Sequence, residues 1–515
     1  MSRFCASLIF ALLAIVLEGA EPYREAFRPQ YHFSPQVNWT NDPCGIVFAN
    51  GEYHLFYQYN PLGILWGHMS WGHAVSRDLV AWKQLPVAIP ESEDVMIFTG
   101  SSVVDKANTS RLCKPGTPCI VSIYTGHTPK MDNRPQRQAQ HLAVSQDGRS
   151  WTKYARNPVL DIGMADFRDP KVFWHAPSKQ WIMIVVLARE KKASIYGSPD
   201  LKEWKRLSDF GPEGATGGVW ECPDLFELPV KGHPNKKKWV LKIGLNPGHV
   251  SGGSGEQYFI GDFDGARFRS DNPSETRWLD YGRDCYCALT WSGEPQGRPA
   301  HIIGWMNNWQ YARATPTDPW RGAMTLPRAL ELRTSAKGIR LAQAPPPEMR
   351  SLRSEAFSYQ GSSAKELNEK LAKWPHLSQT FELEATVRPG SGKQFAWKVL
   401  EGSQEYTLIG YDTDRKEIFV DRTHTAHTSF HERYPSRTVA PLDPGRGALT
   451  LRIFVDQSSV EVFADDGQVV LTNLVFPNRT STGISLMADK TGVDHIRLNM
   501  WKLKSIWGTA KERAE

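Results

Sequence analysis

One short pattern, Ser-x-Asp-x-x-x-Trp, recurs along the chain and constrains its fold more than any other feature. Copies begin at Ser76, Ser145 and Ser198, and a variant occupies residues 261–268. Successive copies lie roughly 50–70 residues apart, which is the length of a small sheet unit. Each copy follows an apolar run and precedes turn residues, as expected if the Asp closes a hairpin and the Trp packs between neighbouring sheets. The repeat therefore predicts the blades of a β-propeller.

Strand-like alternation dominates the sequence up to about residue 345. Apolar runs near Tyr53, Ile120, Val172, Val240 and Ile302 supply the centres of five units. We therefore predict a five-bladed β-propeller over residues 21–345. Loops at one end of such a fold surround a central funnel, which suits a small ligand.

A proline run, Pro345-Pro346-Pro347, ends this region, because consecutive prolines cannot continue a sheet ladder. We predict a linker over residues 346–355 and a β-sandwich over 356–515, so the whole chain is predicted to be all-β. Within the sandwich, Asp465-Asp466-Gly467 predicts a hairpin turn, and residues 363–374 predict one short helix.

The N-terminus has the form of a signal peptide. An apolar run from Phe4 to Leu17 follows Arg3 and is too short to span a bilayer comfortably, so residues 1–20 are predicted to be removed on export. We therefore expect a secreted or periplasmic protein. The net charge of +6 is spread without a long basic run, and we predict no nucleic-acid or membrane partner.

The cysteines favour an oxidising compartment. Cys113 and Cys119 flank a turn-rich loop whose ends can approach, which predicts a local disulfide. Cys285 and Cys287 have a strand spacing that does not favour a bond between them. Because the chain has no CxxC pair and no HExxH helix, we predict no metal and no cofactor.

Three acidic residues stand beside a proline at the edge of different predicted strands. They are Asp42 before Pro43, Asp169 before Pro170, and Glu221 in the segment Glu221-Cys222-Pro223. Each alone is explicable as a turn residue or as an edge-strand charge that limits aggregation. Three such residues at the mouths of different blades of one funnel instead predict a catalytic site.

The motifs around these residues resemble glycoside hydrolase family 32, the invertase, inulinase and levanase group. The resemblance covers nearly the whole mature chain, in the family's order and approximate spacing. It rests on Asn41-Asp42-Pro43, Phe98-Thr99-Gly100-Ser101, Phe167-Arg168-Asp169-Pro170, Trp220-Glu221-Cys222-Pro223-Asp224 and two further blocks at residues 304–309 and 320–328. It implies the same propeller and sandwich.

The resemblance also implies roles for individual residues. Asp42 would be the nucleophile, Glu221 the general acid and base, and Asp169 a transition-state stabiliser that acts on the sugar hydroxyls. Further residues would line the pocket for the terminal fructose: Asn41, Gln58, Trp66, Phe98, Thr99, Arg168 and Trp305. Strand alternation predicts that Arg168 and Asp169 point to opposite faces.

The implied function is that of a secreted retaining exo-β-fructosidase. It would hydrolyse terminal β-D-fructofuranosyl residues of fructans such as levan and inulin, and of sucrose, through a covalent fructosyl-enzyme intermediate. The alternatives are an invertase that prefers sucrose and a fructosyltransferase that uses the same intermediate. A non-catalytic fructan-binding protein is disfavoured, because all three carboxylates are present.

Three positions depart from the family pattern. Cys44 replaces the usual Asn, Thr99 replaces a common Ser, and Ser70 stands where His is frequent. Thr99 keeps a hydroxyl, so we expect it to keep its role, whereas Cys44 removes an amide close to Asp42.

Overall fold

The computed structural model describes residues 22–508, apart from residues 132–133, 446 and 489–491. Strands dominate, and the described residues contain one α-helix and three short 3-10 helices. The all-β prediction is confirmed. The predicted signal peptide, residues 1–20, lies outside the described residues. In the described part of the chain, no helix is both long and apolar enough to cross a membrane.

Residues 38–344 form a series of mainly antiparallel sheets, with a 3-10 helix at Ala312–Ala314. The strands of this region are β1 (Asn38–Ala49), β2 (Glu52–Asn60), β3 (Ser70–Ser76), β4 (Lys83–Ile89), β5 (Met96–Asp105), β6 (Cys119–Thr128), β7 (Arg137–Ser145), β8 (Thr152–Lys153), β9 (Phe167–His175), β10 (Gln180–Leu187), β11 (Lys192–Ser198), β12 (Lys205–Phe210), β13 (Val219–Val230), β14 (His233–Asn246), β15 (Gly255–Phe263), β16 (Phe268–Ser270), β17 (Arg277–Trp278), β18 (Tyr286–Thr290), β19 (His301–Trp305), β20 (Trp320–Arg321), β21 (Arg328–Ser335) and β22 (Gly338–Ala344).

These strands group into sheets whose first strands meet around a common centre. β1–β4, β5–β8 and β9–β12 form three sheets, with β20 added in parallel beside β1. A nine-stranded sheet contains β13–β17 and the group β18, β19, β21 and β22, joined by the parallel pairing of β13 with β21 at Val230 and Leu332. The inner strands β1, β5, β9, β13 and β18 are neighbours in a closed ring. The ring places five strand segments around one funnel.

The recurring sequence pattern closes the outer hairpin of its sheet, as predicted. Asp78 accepts hydrogen bonds from the backbone N–H groups of Val80 and Ala81, in the turn between β3 and β4. Asp147 and Asp200 make equivalent bonds between β7 and β8 and between β11 and β12. The Trp packs against the neighbouring sheet, since the rings of Trp151 and Phe56 lie 5.2 Å apart.

Residues 347–503 form two further sheets and the one α-helix. Their elements are a 3-10 helix (Pro347–Leu352), β23 (Arg353–Gly361), α1 (Ala364–Ala372), β24 (Phe381–Pro389), β25 (Gln394–Glu401), β26 (Thr407–Asp412), β27 (Glu417–Asp421), β28 (Arg437–Pro441), β29 (Leu449–Asp456), β30 (Ser459–Ala464), a 3-10 helix (Asp465–Gly467), β31 (Val469–Leu474), β32 (Gly483–Ala488) and β33 (Val493–Leu503).

The two sheets, β23-β33-β24-β29-β30-β31 and β28-β27-β26-β25-β32, share one buried apolar core that includes Leu383, Trp397 and Ile453. Helix α1 lies within the predicted range of residues 363–374 and begins after Ser363, whose side chain accepts a bond from the Glu366 N–H. The predicted hairpin turn at residues 465–467 joins the paired strands β30 and β31. Both local predictions are confirmed.

A buried charged cluster connects these sheets to the part of the chain before residue 345. Arg328 donates to Asp280 at 2.9 Å and to Glu461 at 2.7 Å. The two ring nitrogens of His32 lie 2.8 Å from Asp456 and 2.9 Å from Glu461. We call Asp280, Asp456 and Glu461 the junction cluster.

Candidate active site

Every inner strand carries a bulge at the same level of the funnel, where two of its residues face one residue of the neighbouring strand. The register shifts in β1, β5, β9, β13 and β18 show this arrangement. A bulge bends the strand and redirects side chains, and it tolerates a proline that cannot join the ladder. The bulged pairs are Asn41-Asp42, Phe98-Thr99, Asp169-Pro170, Cys222-Pro223 and Cys287-Ala288.

Asp42 projects from the bulge of β1. Its Oδ2 accepts a hydrogen bond from the Thr99 hydroxyl at 2.8 Å, while its Oδ1 is buried without a partner among the described residues. Burial, reinforced by the charge of Glu221, raises the pKa of Asp42 to about 6, against the lowering effect of hydrogen bonds from Thr99 and Asn41. The nucleophile candidate is therefore an incompletely compensated carboxylate.

Asp169 is buried in the bulge of β9. Its Oδ2 accepts from the backbone N–H of Cys222 at 2.9 Å, and its own N–H donates to the Thr125 hydroxyl at 2.9 Å. Burial raises the pKa of Asp169 to about 7; Arg168 opposes this increase, whereas Glu221 and Asp42 add to it.

Glu221 precedes the bulge of β13 and accepts a donor on each oxygen. Arg168 Nε lies 3.1 Å from Oε1, and the Tyr286 hydroxyl lies 2.5 Å from Oε2. Arg168 is itself held by Gln138 and Asp166, each at 3.2 Å. Burial raises the pKa of Tyr286 well above its usual value, so the phenol keeps its proton and donates to Glu221.

The predicted opposition of Arg168 and Asp169 is wrong. Both side chains reach the same segment of β13, since Arg168 bonds to Glu221 and Asp169 bonds to the N–H of Cys222. The reason is local: Asp169 has a left-handed φ of +64° and lies in a bulge, where the alternation of a regular strand fails.

Apart from Thr99 and Arg168, which bond to the carboxylates, the predicted pocket residues divide into two groups. Trp66 and Phe98 are partly exposed, with ring centres 6.0 Å apart, and Phe98 stacks on His127 at 4.3 Å. Arg313 lies over the Trp66 ring at 5.8 Å. These groups form an aromatic wall, and such walls suit the apolar faces of sugar rings.

The second group lies behind the carboxylates. The Asn41 side chain accepts from Trp39 Nε1 at 2.8 Å, and Gln58 donates to the Ile97 carbonyl at 2.9 Å. Trp305 is fully buried, 4.8 Å from the Trp309 ring. In this structure these three side chains support the strands that carry Asp42 and Thr99.

Sequence reasoning missed Tyr286 and a second disulfide. The predicted Cys113–Cys119 disulfide is present, and Cys222 is also bonded to Cys287. A signal was available, because Tyr286 stands before Cys287 as Glu221 stands before Cys222.

Two of the departures from the family pattern can be traced to contacts. The Thr99 hydroxyl bonds to Asp42, and its predicted place in the pocket for the terminal fructose stays a prediction. Cys44 is buried and is not part of a disulfide, and its sulfur lies 4.0 Å from Gln58 Nε2. Potential metal-ligand atoms of Asp42, Cys222 and Cys287 lie within 4.8 Å of one another, but two sulfurs joined in a disulfide offer no thiolate.

Comparison with known proteins decides the family. Residues 32–345 match the N-terminal domain of the glycosyl hydrolases family 32, and residues 348–502 match the C-terminal domain of that family. The chain belongs to glycosyl hydrolase family 32. The resemblance seen in its motifs is thereby confirmed, and the protein is a glycoside hydrolase.

Two relatives within family 32 illustrate the likeness. The chain is 46% identical to a levanase of Bacillus subtilis over 521 residues, which covers 98% of this chain and 75% of the levanase. It is 40% identical to an extracellular exo-inulinase of Aspergillus awamori, covering 97% and 98% of the two chains. The crystal structure of an exo-inulinase from Aspergillus awamori superposes with a TM-score of 0.87 at 38% identity, over 94% of this chain and 100% of that one.

Proposed function

We propose that this family 32 enzyme is a secreted retaining exo-β-fructosidase that removes terminal fructofuranosyl units. One observation carries the proposal: Cys222, the residue after Glu221, contacts both other carboxylates. Its N–H bonds to Asp169, and its sulfur lies 3.8 Å from Asp42 Oδ2. Three acids from three inner strands therefore converge on one point of the funnel.

In the proposed first step, Asp42 attacks the anomeric carbon of the terminal fructose while Glu221 protonates the departing oxygen. The glycosidic bond breaks and a fructosyl ester of Asp42 forms. Asp169 accepts hydrogen bonds from the sugar hydroxyls, which strengthen as positive charge develops on the ring.

In the second step, water replaces the leaving group. Glu221, now a carboxylate, takes a proton from the water while the water oxygen attacks the anomeric carbon. The ester bond to Asp42 breaks and Asp42 is released as a carboxylate. Two displacements retain the configuration. This mechanism predicts a separation of about 5–5.5 Å between the carboxyl groups of Asp42 and Glu221.

Fructans and sucrose are the proposed substrates. The names of the relatives, levanase and extracellular exo-inulinase, support fructan hydrolysis and an extracellular location. The aromatic wall of Trp66 and Phe98 supports a site for one terminal sugar. The five-bladed organisation of residues 21–345, the linker 346–355 and the sandwich 356–515 are also proposals. The closed ring of β1, β5, β9, β13 and β18 supports five blades.

Product analysis in aqueous methanol tests this proposal. Levan, inulin and sucrose are incubated separately with the enzyme, and products are identified by NMR and chromatography. We expect fructose from each substrate and methyl β-D-fructofuranoside as the methanol product, because configuration is retained. The α-methyl product would refute the retaining mechanism, and early internal oligosaccharides would refute exo action. Oligofructosides accumulating from concentrated sucrose would identify a fructosyltransferase instead.

A further inference from the structure

The Cys222–Cys287 disulfide connects the two strands whose side chains share the hydrogen bond between Glu221 and Tyr286. Glu221 directly precedes Cys222 in β13, and Tyr286 directly precedes Cys287 in β18. Both cysteines are the first residue of a bulge, at equivalent positions in neighbouring strands of the ring. The covalent bond therefore lies one residue from the 2.5 Å contact between the phenol and the carboxylate.

Both cysteines have a left-handed backbone, with φ of +48° at Cys222 and +46° at Cys287. Residues with a Cβ rarely adopt this conformation unless the surrounding structure holds them in it. At Cys222 the restraints are visible: its N–H donates to Asp169 at 2.9 Å, and its carbonyl accepts from Lys242 Nζ at 2.6 Å. The disulfide is the third restraint, and it acts on the side chain.

A buried ion pair links the same two segments from behind. Lys242, which holds the Cys222 carbonyl, lies 3.0 Å from Glu256, and Glu256 accepts from the Ala288 N–H at 3.2 Å. This pair holds one backbone group within each bulge, the Cys222 carbonyl and the Ala288 N–H. The disulfide acts closer to the two side chains that meet, so the ion pair does not replace it.

We propose that the Cys222–Cys287 disulfide is a positioning element of the catalytic site. It holds Glu221 against Tyr286 and keeps the Cys222 N–H on Asp169, and full activity requires it to be closed. The inference rests on the proposed role of Glu221 as acid and base. It goes beyond that role by assigning a function to the covalent bond beside Glu221.

The main test compares two single substitutions in one short segment. Cys287→Ala opens the disulfide, whereas Cys285→Ala removes a buried thiol that is not bonded to another cysteine. For Cys287→Ala we expect kcat on sucrose and inulin to fall about 10-fold with KM changed less than about 2-fold, since small displacements of catalytic groups are costly. We also expect its kcat–pH profile to move. Cys285→Ala should match the wild type in kcat and in pH profile.

A purely structural disulfide gives a different result. In that case Cys287→Ala unfolds at a lower temperature, but the folded enzyme keeps the wild-type kcat and pH profile, which overturns the proposal. Disulfide mapping of the active wild type provides an independent check. The peptides containing Cys222 and Cys287 should be linked, and finding both as free thiols in fully active enzyme also overturns the proposal.

If Cys287→Ala does not fold, reduction of the Cys222–Cys287 disulfide in the wild type tests the positioning role instead. Dithiothreitol transfers two electrons and two protons to the disulfide, becoming a cyclic disulfide while Cys222 and Cys287 become thiols. Activity should fall as the 222–287 linkage disappears from alkylated samples, independently of the 113–119 linkage. Full activity after complete loss of the 222–287 linkage refutes the positioning role. Glu221→Gln is assayed alongside, because retained activity there would instead refute the assignment of Glu221.

Discussion

Two groups of three carboxylates in the described residues have opposite electrostatic characters. One is the buried junction cluster, which ties the strands of residues 38–344 to the last two sheets. The other lies in the funnel, and we call it the catalytic cluster. Its members are Asp42, Asp169 and Glu221.

The junction cluster is matched by cations and donors. Arg328 bonds to two of its acids, and His32 lies between Asp456 and Glu461 with each ring nitrogen facing a carboxylate oxygen. Although burial opposes it, these two acids raise the pKa of His32 to about 9. Burial likewise opposes ionisation of Glu461, but Arg328 and His32 lower its pKa. His32 and Glu461 are therefore held in their charged states.

The catalytic cluster has fewer partners. Arg168 is the arginine that bonds to it, and that bond goes to Glu221, while Asp42 Oδ1 has no partner among the described residues. The pKa values of Asp42 and Asp169 rise to about 6 and about 7, with burial as the largest cause. The same residue types are therefore structural where donors match the charges, and the proposed reactive carboxylates lie where donors do not.

Removal of the Asp42 carboxylate, the nucleophile candidate, should have the largest effect on activity. Asp42→Asn keeps the size of the side chain and the Thr99 contact but cannot form the fructosyl ester, so kcat should fall at least about 10⁴-fold. Fructose release from sucrose measures this. Asp78→Asn, a turn aspartate next to strand β3 of the same sheet, is the matched control and should keep activity. Release within 10-fold of the wild type by Asp42→Asn would remove Asp42 from the mechanism.

A substitution in the junction cluster should lower the free energy of unfolding and leave catalysis unchanged. Arg328→Met leaves Asp280 buried without its cation and leaves Glu461 with His32 as its remaining cation, and breaking a buried pair in this way typically costs about 3–5 kcal/mol. Chemical denaturation measures the loss, and the folded fraction should keep its kcat. Arg333→Met, which disturbs a partly exposed pair with Glu331, should cost less than about 1 kcal/mol. Equal losses in the two variants would show that the junction cluster is no more important than a surface pair.

Much of this architecture is readable from local sequence. The Ser-x-Asp-x-x-x-Trp pattern predicts its hairpins because the Asp bonds to N–H groups two and three residues later. The carboxylates at positions 42, 169 and 221 are recognisable because a nearby proline marks each bulge. Both signals lie within a few residues of the feature they predict.

Other features depend on residues that are distant in sequence. Tyr286 becomes a partner of Glu221 only when β18 and β13 become neighbours in the ring, and the Cys222–Cys287 bond has the same origin. His32 faces two acids more than 400 positions later in the chain. Strand alternation also misplaced Asp169, because a pattern based on regular strands does not represent a bulge.

Because of His32, the stability that the junction cluster contributes should fall as pH rises. A histidine whose pKa rises from 6.5 to about 9 on folding contributes roughly 3 kcal/mol, fully present below about pH 6.5 and lost as pH rises through about 9. His32→Gln should remove this loss, so its unfolding free energy should vary less than that of the wild type between about pH 6 and pH 10. His376→Gln serves as a control. Parallel profiles for wild type and His32→Gln would contradict a charged His32.

Asp169 should give a pH dependence of the same sign as His32, but its ionised carboxylate destabilises the folded state at neutral pH. Its pKa rises from 3.8 to about 7 on folding, so the folded state binds the proton more tightly, and stability is lost as pH rises from about 4 to about 7. Asp169→Asn should therefore be inactive yet more stable than the wild type near neutral pH, by about 2 kcal/mol, because burial no longer opposes a charge although the attraction to Arg168 is lost. Denaturation at about pH 4 should show no gain, since Asp169 is protonated there in the folded state. A variant that is less stable than the wild type at neutral pH would mean that the carboxylate is as well matched as those of the junction cluster, and that the two clusters do not differ in the way proposed.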